Sequence, residues 1–466
     1  MRSISPTAVQ KPTPANFPEF LPYACGQLSA PFGVSVKVKV QDEYVSKAED
    51  KTKKGKKSMA VLQHKSASDV VTSGLDAVAF TDYDDDEIKV TAVVDSTNQL
   101  IGISMHRSRE APRLIFQILG LCVPFCSYLT SLVLDTCALT GCILHEIAKF
   151  LPQSQITEIS LDNSPIVASE RIYYMLLERQ TNLRNLSLAR CNLSDQDCTV
   201  LFAQLLHPLP ASKTLMTLNL TSNFISDRGA RAIGDCLRSN RTLQYLNLAG
   251  NYISDDGAVD ILQSCIEFPL TADEIMKKKQ RFMDYLKMRQ NVYNRFVKEI
   301  TNTLTGKAFD EFSKTSKRKA LKGKDNRTPS FSQLPKNLSA GAIATTKAEM
   351  MTEEFVGRYT DPFSMEETVF RDRYIYSIGN LVLCSLNLAY NNLGYVTVKK
   401  LLEVMKYQKS LNRNSAVGLL YVQLQGNNLP MCVETNILLD YLEQAVIARM
   451  QRMQSPRRDK SRIRKL

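Results

Sequence analysis

The stretch LQYLNLAGNYISDDGAVDILQ, at residues 243–263, contains the pattern on which the fold prediction depends. Leu246 and Leu248 alternate with polar residues, which predicts a short strand with its apolar side chains facing inward. Asn251 should end that strand, because its side-chain amide can bond the backbone of the adjacent turn. The Ser-Asp pair at 254–255 then gives the N-cap signal of a helix. The stretch therefore predicts one strand–turn–helix unit.

The same pattern, L-x-x-L-x-L-x-x-N/C-x-L, recurs along the chain and makes an internal repeat its main feature. Copies begin at Leu129, Ile156, Leu183, Leu215, Leu243, Leu383 and Leu419, and a weaker copy begins at Leu100. The residues that define the repeats are Leu129, Leu132, Leu134, Cys137, Leu183, Leu186, Leu188, Cys191, Leu215, Leu218, Leu220, Asn223, Leu243, Leu246, Leu248, Asn251, Leu383, Leu386, Leu388, Asn391, Leu424 and Asn427. Ser164 departs from the pattern, because it stands where the other copies have Asn or Cys.

These motifs resemble the long leucine-rich repeats of the ribonuclease-inhibitor type, and the likeness spans residues 100–429. The resemblance implies an α/β solenoid, or horseshoe, with parallel strands on a concave wall and helices on the convex wall. One unit cannot bury both of its faces alone, so stacked units should share one core. The alternative is an ordinary doubly wound α/β domain, which a fixed Asn or Cys after every strand argues against.

The domain organisation follows from where the pattern stops and restarts. We expect a disordered N-terminal arm over 1–75, a cap strand region over 76–99, a first block of repeats over 100–268, a basic insertion over 269–378, the last two repeats with a cap helix over 379–445, and a basic disordered tail over 446–466. The insertion should contain an amphipathic helix over about 271–300 and a disordered segment over about 301–350. Two repeats are too few to be stable alone, so Leu383 should pair beside Leu243.

The net charge of +12 resides in the appendages of the repeat array. Residues 271–347 carry 18 Lys and Arg against 7 Asp and Glu, and residues 449–466 carry 8 against 1. The basic run at 51–57 and the tail at 455–466 lack the interleaved aromatic residues that stack on bases, so nucleic acid ranks below a protein partner. Acidic protein surfaces such as tubulin tails are the partners that the charge favours.

Several classes of function are excluded at this stage. No stretch approaches the ~20 apolar residues of a membrane-spanning helix, and the N-terminus lacks the apolar core of a secretion signal. The eleven cysteines show no C-x-x-C spacing, which predicts free, mostly buried thiols in the cytoplasm. We expect Cys142, Cys198 and Cys236 in the core. We expect no catalytic residue, cofactor or metal, since His145 lacks the second His of a zinc-protease motif.

The outward-facing strand residues predict the binding surface. They are Glu158, Asn185, Thr217, Asn219, Tyr245, Asn247, Asn387, Tyr390, Tyr421 and Gln423. Tyr245 and Tyr421 are the expected anchors, because tyrosine offers a large contact area at low entropic cost; the alternative is a sheet face that only meets solvent. The sequence thus predicts a non-enzymatic protein-binding scaffold, and the family resemblance implies a place in a ciliary or microtubule-based assembly. The alternative is a regulator of a cytosolic enzyme, such as a small GTPase or a nuclease, with Arg190 as a contact.

Overall fold

The fold is known from a computed structural model, which describes residues 11–41, 87–108, 111–314, 340–411 and 418–454. The chain forms two compact units. The first comprises Met1–Ile266 together with Asn380–Leu466, and the second comprises Glu267–Gly379.

The first unit is built on a sheet of ten strands. In spatial order these are β1 (Gly33–Val40), β2 (Glu87–Val94), β3 (Leu100–His106), β4 (Ser131–Asp135), β5 (Glu158–Ser160), β6 (Asn185–Ser187), β7 (Thr217–Asn219), β8 (Tyr245–Asn247), β12 (Ser385–Asn387) and β13 (Tyr421–Gln423). Only β2 and β3 are antiparallel neighbours, and every other pair is parallel. The predicted leucine-rich-repeat solenoid is confirmed.

Helices follow the strands and close the core from one side. They are α1 (Phe17–Gln27), α2 (Arg113–Cys122), α3 (Gly141–Phe150), α4 (Met175–Glu178), α5 (Asp195–Ala203), α6 (Asp227–Leu237), α7 (Asp255–Gln263), α10 (Tyr395–Ser410) and α11 (Val433–Gln454). The repeat-defining side chains are buried in one continuous core, apart from Leu424 and Asn427 of the last repeat, which are half-buried. Each fully buried leucine contributes about 1.5–3 kcal/mol, so the stacked leucines are the main stabilising element.

The side chain that ends each strand bonds two repeats at once. Asn251 Nδ2 donates to the carbonyl oxygens of Leu220 and Leu248, both at 3.0 Å. Its Oδ1 accepts from the Ile225 N–H at 3.1 Å. Ser164 makes the same connection with a hydroxyl, which accepts from the Cys137 N–H at 2.9 Å and reaches the Leu134 carbonyl at 3.0 Å. We call these hydrogen bonds between successive repeats the ladder. Ser164 departs from the sequence pattern but keeps them.

The last two repeats continue the first block without a break in the sheet. β12 pairs in parallel with β8, so that Ser385 lies opposite Tyr245, as the sequence predicts. Asn391 repeats the ladder across the interruption: its Nδ2 donates to Leu248 O at 3.0 Å, and its Oδ1 accepts from the Ile253 N–H at 3.1 Å. The array is therefore continuous in space although 140 residues separate the two leucines Leu243 and Leu383 in sequence.

The second unit consists of helices and a small sheet. Its elements are β9 (Phe268–Pro269), α8 (Ala272–Lys314), α9 (Ala340–Val356), β10 (Thr368–Arg371) and β11 (Tyr374–Ser377), with strand order β10-β11-β9. Arg281 pairs with the buried Asp361 at 2.6 Å. Burial alone would raise the pKa of Asp361, but the Arg281 guanidinium, the Phe363 N–H and the Tyr359 hydroxyl together outweigh it and hold that pKa below its ordinary value. This ion pair fixes α8 to the segment that follows α9.

The disordered arm predicted over 1–75 is wrong where that segment is described. Phe17, Leu21 and Cys25 recur every four residues and bury one face of α1, and β1 pairs with β2 along its whole length. Pro18 is tolerated at the start of α1, because the N–H it lacks has no partner there, whereas Pro22 lies inside the helix and removes one of its hydrogen bonds. A cap strand is present within the expected region 76–99 as β2, but β1 pairs with its outer side and is the first strand of the sheet.

Helix lengths also differ from the predicted segments. The helix expected over about 271–300 extends to Lys314, and α9 begins at Ala340, so both enter the segment expected to be disordered over about 301–350. Likewise, α11 extends to Gln454, inside the tail expected to be disordered over 446–466. Alanine, lysine and glutamate are good helix formers, so a scarcity of apolar residues alone did not end these helices. Residues 315–339 and 455–466 lie outside the described residues.

Candidate functional site

The strand-borne candidate residues fall into two parallel rows on one face of the sheet. Strand pairing places the first row in a continuous register, which runs through Glu158, Asn185, Thr217, Tyr245, Ser385 and Tyr421. The second row, two residues further along each strand, runs through Ser160, Ser187, Asn219, Asn247, Asn387 and Gln423. The leucines between the two rows are buried. We call the part of these rows carried by β7, β8, β12 and β13 the concave wall.

Three tyrosines stand on or beside this wall. Tyr245 is 38% exposed, Tyr421 is 41% exposed and Tyr390 is 64% exposed. Tyr245 and Tyr421 occupy the same register row on either side of Ser385, which puts their Cα atoms about 10 Å apart at two strand spacings. A planar or apolar side chain of a partner can enter between two rings at that separation. This pair exists only because β12 lies between β8 and β13.

Tyr390 follows β12 in a left-handed backbone conformation, with φ at +54°. Its ring lies against the neighbouring turn at Gly426, where an added Cβ would meet Tyr390 Cδ1 at 2.3 Å. Gly426 itself has φ at +73°, so the position favours glycine for both reasons. The contact places the Tyr390 ring over the last turn of the array, beside the concave wall.

The charge along this face divides it into two parts. The outward residues of the concave wall carry no ionisable group except the tyrosine hydroxyls; they are Thr217, Asn219, Tyr245, Asn247, Ser385, Asn387, Tyr421 and Gln423. In the earlier repeats, Asp135, Glu158 and Asp162 stand on or just after the strands. His106 Nδ1 lies 3.5 Å from Asp135 Oδ2. An uncharged wall thus adjoins a part that carries three carboxylates and the exposed Arg190.

Two asparagines make the wall a source of hydrogen-bond donors. Asn247 Oδ1 accepts from its own chain at the Ala249 N–H, at 3.1 Å, and Asn387 Oδ1 does the same at the Ala389 N–H, at 3.0 Å. No described residue accepts a hydrogen bond from either Nδ2. The amide NH2 groups can therefore donate to acceptors on a ligand, such as backbone carbonyl oxygens of an extended segment.

A second set of hydrogen bonds, made by carboxylates, joins the start of one helix to the start of the next. We call it the carboxylate ladder. Asp227 Oδ1 accepts from the N–H groups of Ser254 and Gly257, at 2.7 and 3.1 Å. A Cβ at Gly257 would lie 2.4 Å from Asp227 Oδ1, so glycine makes room for the carboxylate. Asp255 repeats this contact across the interruption, where it accepts from the Gly394 and Thr397 N–H groups at 2.8 and 3.1 Å. The sequence showed an N-cap signal at these positions, but not that the carboxylate serves the next repeat.

The cysteines singled out in the sequence differ in their burial. Cys198 and Cys236 are buried, and burial raises the pKa of both thiols. Cys142 is exposed, so its predicted place in the core is wrong; it lies in the first turn of α3, on the side away from the sheet. The exposed Arg190 bonds Asn163 at 3.4 Å.

Among the described residues, no group of three or more His, Cys, Asp or Glu side chains is placed to hold a metal ion. No helix within the described ranges has the length and apolar character needed to cross a membrane.

Comparison with known proteins agrees with the repeat assignment. Residues 211–234 and 239–262 match the family model described as "Leucine Rich repeat". These segments contain β7 with α6 and β8 with α7, so the chain has a leucine-rich-repeat fold. No curated protein matches the sequence. The solved structure titled "Leiomodin-1 Actin-Binding Site 2 (ABS2)" is 24% identical with a TM-score of 0.22, over 32% of this chain and 95% of that chain.

The carboxylate ladder gives a pH dependence that can be measured. Burial alone would raise the pKa of Asp255, but hydrogen bonds from Thr397 and Gly394 outweigh it and hold that pKa below its ordinary value. A carboxyl group with a lowered pKa in the folded state stabilises the fold above its unfolded pKa of about 3.9, and this contribution is lost as the pH falls through the folded pKa.

We therefore expect Asp255→Asn to lower the free energy of unfolding at pH 7 by about 1–2 kcal/mol. The variant should also lose less stability than the wild type between pH 5 and pH 3. Denaturant unfolding across that pH range measures both effects, and Asp256→Asn, at the exposed neighbour, is the control. Equal acid dependence in Asp255→Asn and in wild type would contradict the role given to Asp255.

Proposed function

We propose that this protein is a scaffold that binds another protein through the concave wall. The observation that carries the proposal is the pair Tyr245 and Tyr421, half-exposed in one register row with Ser385 between them. Aromatic residues that stand in a rigid, uncharged surface are typical binding anchors, because little entropy is lost when they are covered.

The backbone beneath the wall supports the same proposal. Leu248 N–H donates to Asn387 O, and Leu388 N–H donates to Gln423 O, both at 2.9 Å. The ladder side chains Asn391 and Asn427 hold the turns that follow. A surface fixed in this way is organised before the partner arrives, so binding costs little reorganisation.

The character of the wall indicates the chemistry of its ligand. Because the concave wall offers amide donors and aromatic rings without charge, it suits an extended segment with apolar side chains and accessible carbonyl oxygens. Asp135, Glu158 and Asp162, in the earlier repeats, favour a basic region in the same partner. We therefore propose a partner that presents an apolar segment next to a basic one.

We extend the proposal to a cytoplasmic assembly based on cilia or microtubules. The order of features is a repeat at residues 240–263, a basic helix, a lysine-rich interruption and two closing repeats. This order resembles the leucine-rich repeat-containing protein numbered seventy-one in its naming series, and that resemblance implies ciliated and sperm-forming cells. The basic runs would engage acidic surfaces such as tubulin tails.

Removal of the tyrosine anchors tests the binding surface. We expect Tyr245→Ala with Tyr421→Ala to weaken binding of the partner identified by proximity labelling by about 2–4 kcal/mol, with the melting temperature nearly unchanged. Tyr128→Ala is the control, because Tyr128 is exposed but lies before β4 and outside both rows. Titration of the purified partner measures the effect, and unaltered affinity in the double variant would remove the concave wall as the binding site.

Removal of the basic runs tests the microtubule extension. We expect a chain lacking residues 315–339 and 455–466 to sediment with microtubules less than the full chain at low salt. The difference should vanish at high salt, since charge contacts are screened over ~8 Å at physiological ionic strength. This deletion keeps every helix that the structure describes. Equal sedimentation of both chains at low salt would show that the runs are not the attachment.

A further inference from the structure

Helix α8 has one face that contacts the rest of its unit. Tyr285 Oη donates to Gly357 O at 2.9 Å, and Arg281 forms its ion pair with Asp361. The Phe296 and Phe355 rings meet edge to face, with their centroids 6.0 Å apart. These contacts fix the orientation of α8 about its own axis.

A second strip of α8 is apolar and exposed. Met276 is 69% exposed, Met283 is 50% exposed and Leu286 is 38% exposed. At about 3.6 residues per turn, positions separated by seven and three residues lie one above the other on a helix. Phe282 borders the strip and is itself half-exposed. We call Met276, Met283 and Leu286 the methionine strip.

The same part of the helix is strongly basic. Residues 277–298 contain eight Lys and Arg and a single acid, Asp284. Lys279 and Lys287 are exposed within one turn of members of the methionine strip. Arg281 and Arg295 are paired with Asp361 and Glu299, and the other six cations add positive charge around the strip.

The exposed apolar side chains and the cations together indicate which kind of acidic partner α8 suits. A purely acidic tail would meet the lysines but would leave Met276, Met283 and Leu286 in water. A lipid surface needs a broad apolar face on the helix, whereas this strip is narrow and has Lys279 within it. An apolar groove with an acidic rim satisfies both features at once, because such grooves bind a helix through a few anchors spaced three to seven residues apart.

We propose that α8 is a docking segment for a calcium sensor of the EF-hand class. Calcium opens such a sensor and exposes a groove lined with methionines. The methionines of the groove can adapt to those of α8, because methionine side chains are flexible and polarisable. The methionine strip enters the groove, while Lys279 and Lys287 meet carboxylates at its rim. This site is separate from the concave wall, so it gives the scaffold a calcium-dependent second contact.

The test uses the full-length chain with calmodulin as the probe, titrated in calcium and in a calcium chelator. We expect binding in calcium and none in the chelator. The variant Met276→Gln, Met283→Gln, Leu286→Gln should bind at least about tenfold more weakly. The matched control is Met288→Gln, Met350→Gln, which changes two exposed methionines outside the strip. Circular dichroism of each variant establishes that its helices are intact.

Several results would overturn the proposal. These are no binding in calcium, equal binding with and without calcium, or equal affinity of the strip variant and the control. Calcium-independent binding to phosphatidylserine vesicles that the strip variant loses, without calmodulin binding, would assign the strip to a membrane instead. Tyr245→Ala with Tyr421→Ala should leave calmodulin binding unchanged, so failure of the concave wall and failure of α8 are distinguishable.

Discussion

The hydrogen bonds of one side-chain amide, Asn391, join the two separated parts of the repeat array. Its Nδ2 donates to Leu248 O in one repeat and to Leu388 O in the next, at 3.0 and 3.1 Å, while its Oδ1 accepts from the Ile253 N–H. A buried backbone group left without a partner costs about 1–3 kcal/mol, so no simple apolar residue could replace it. The continuity of the sheet from β8 to β12 depends on this connection.

That continuity creates the candidate binding surface and leaves the intervening chain available for a different role. Tyr245 and Tyr421 are 176 residues apart in sequence, yet both flank Ser385 in one register row. The inserted unit, Glu267–Gly379, brings a basic helix with an exposed apolar strip. One chain therefore carries an uncharged aromatic wall and a cationic helix, two surfaces that suit partners of different chemistry.

Local pattern made most of the repeat architecture predictable, because Leu246, Leu248 and Asn251 stand at a fixed spacing that recurs in the other repeats. The pairing of Leu383 beside Leu243 was predictable from the instability of two isolated repeats. The ordered strand β1 was not predictable in this way, since it pairs with the distant strand β2. Likewise, the carboxylate of Asp255 gave only an N-cap signal, because its acceptor role is set by Gly394 in the next repeat.

Amide hydrogen exchange at Leu248 and Gly250 tests the central claim most directly, because their N–H groups donate to Asn387 O in β12 and to Ala389 O just after it. Both amides should exchange as slowly as that of Leu220, within the first block. In Asn391→Ala their exchange should accelerate at least about tenfold, while Asn392→Ala, at an exposed neighbour, leaves it unchanged. Rapid exchange at Leu248 and Gly250 in the wild type would mean that β8 is an open edge, and would contradict the joined array.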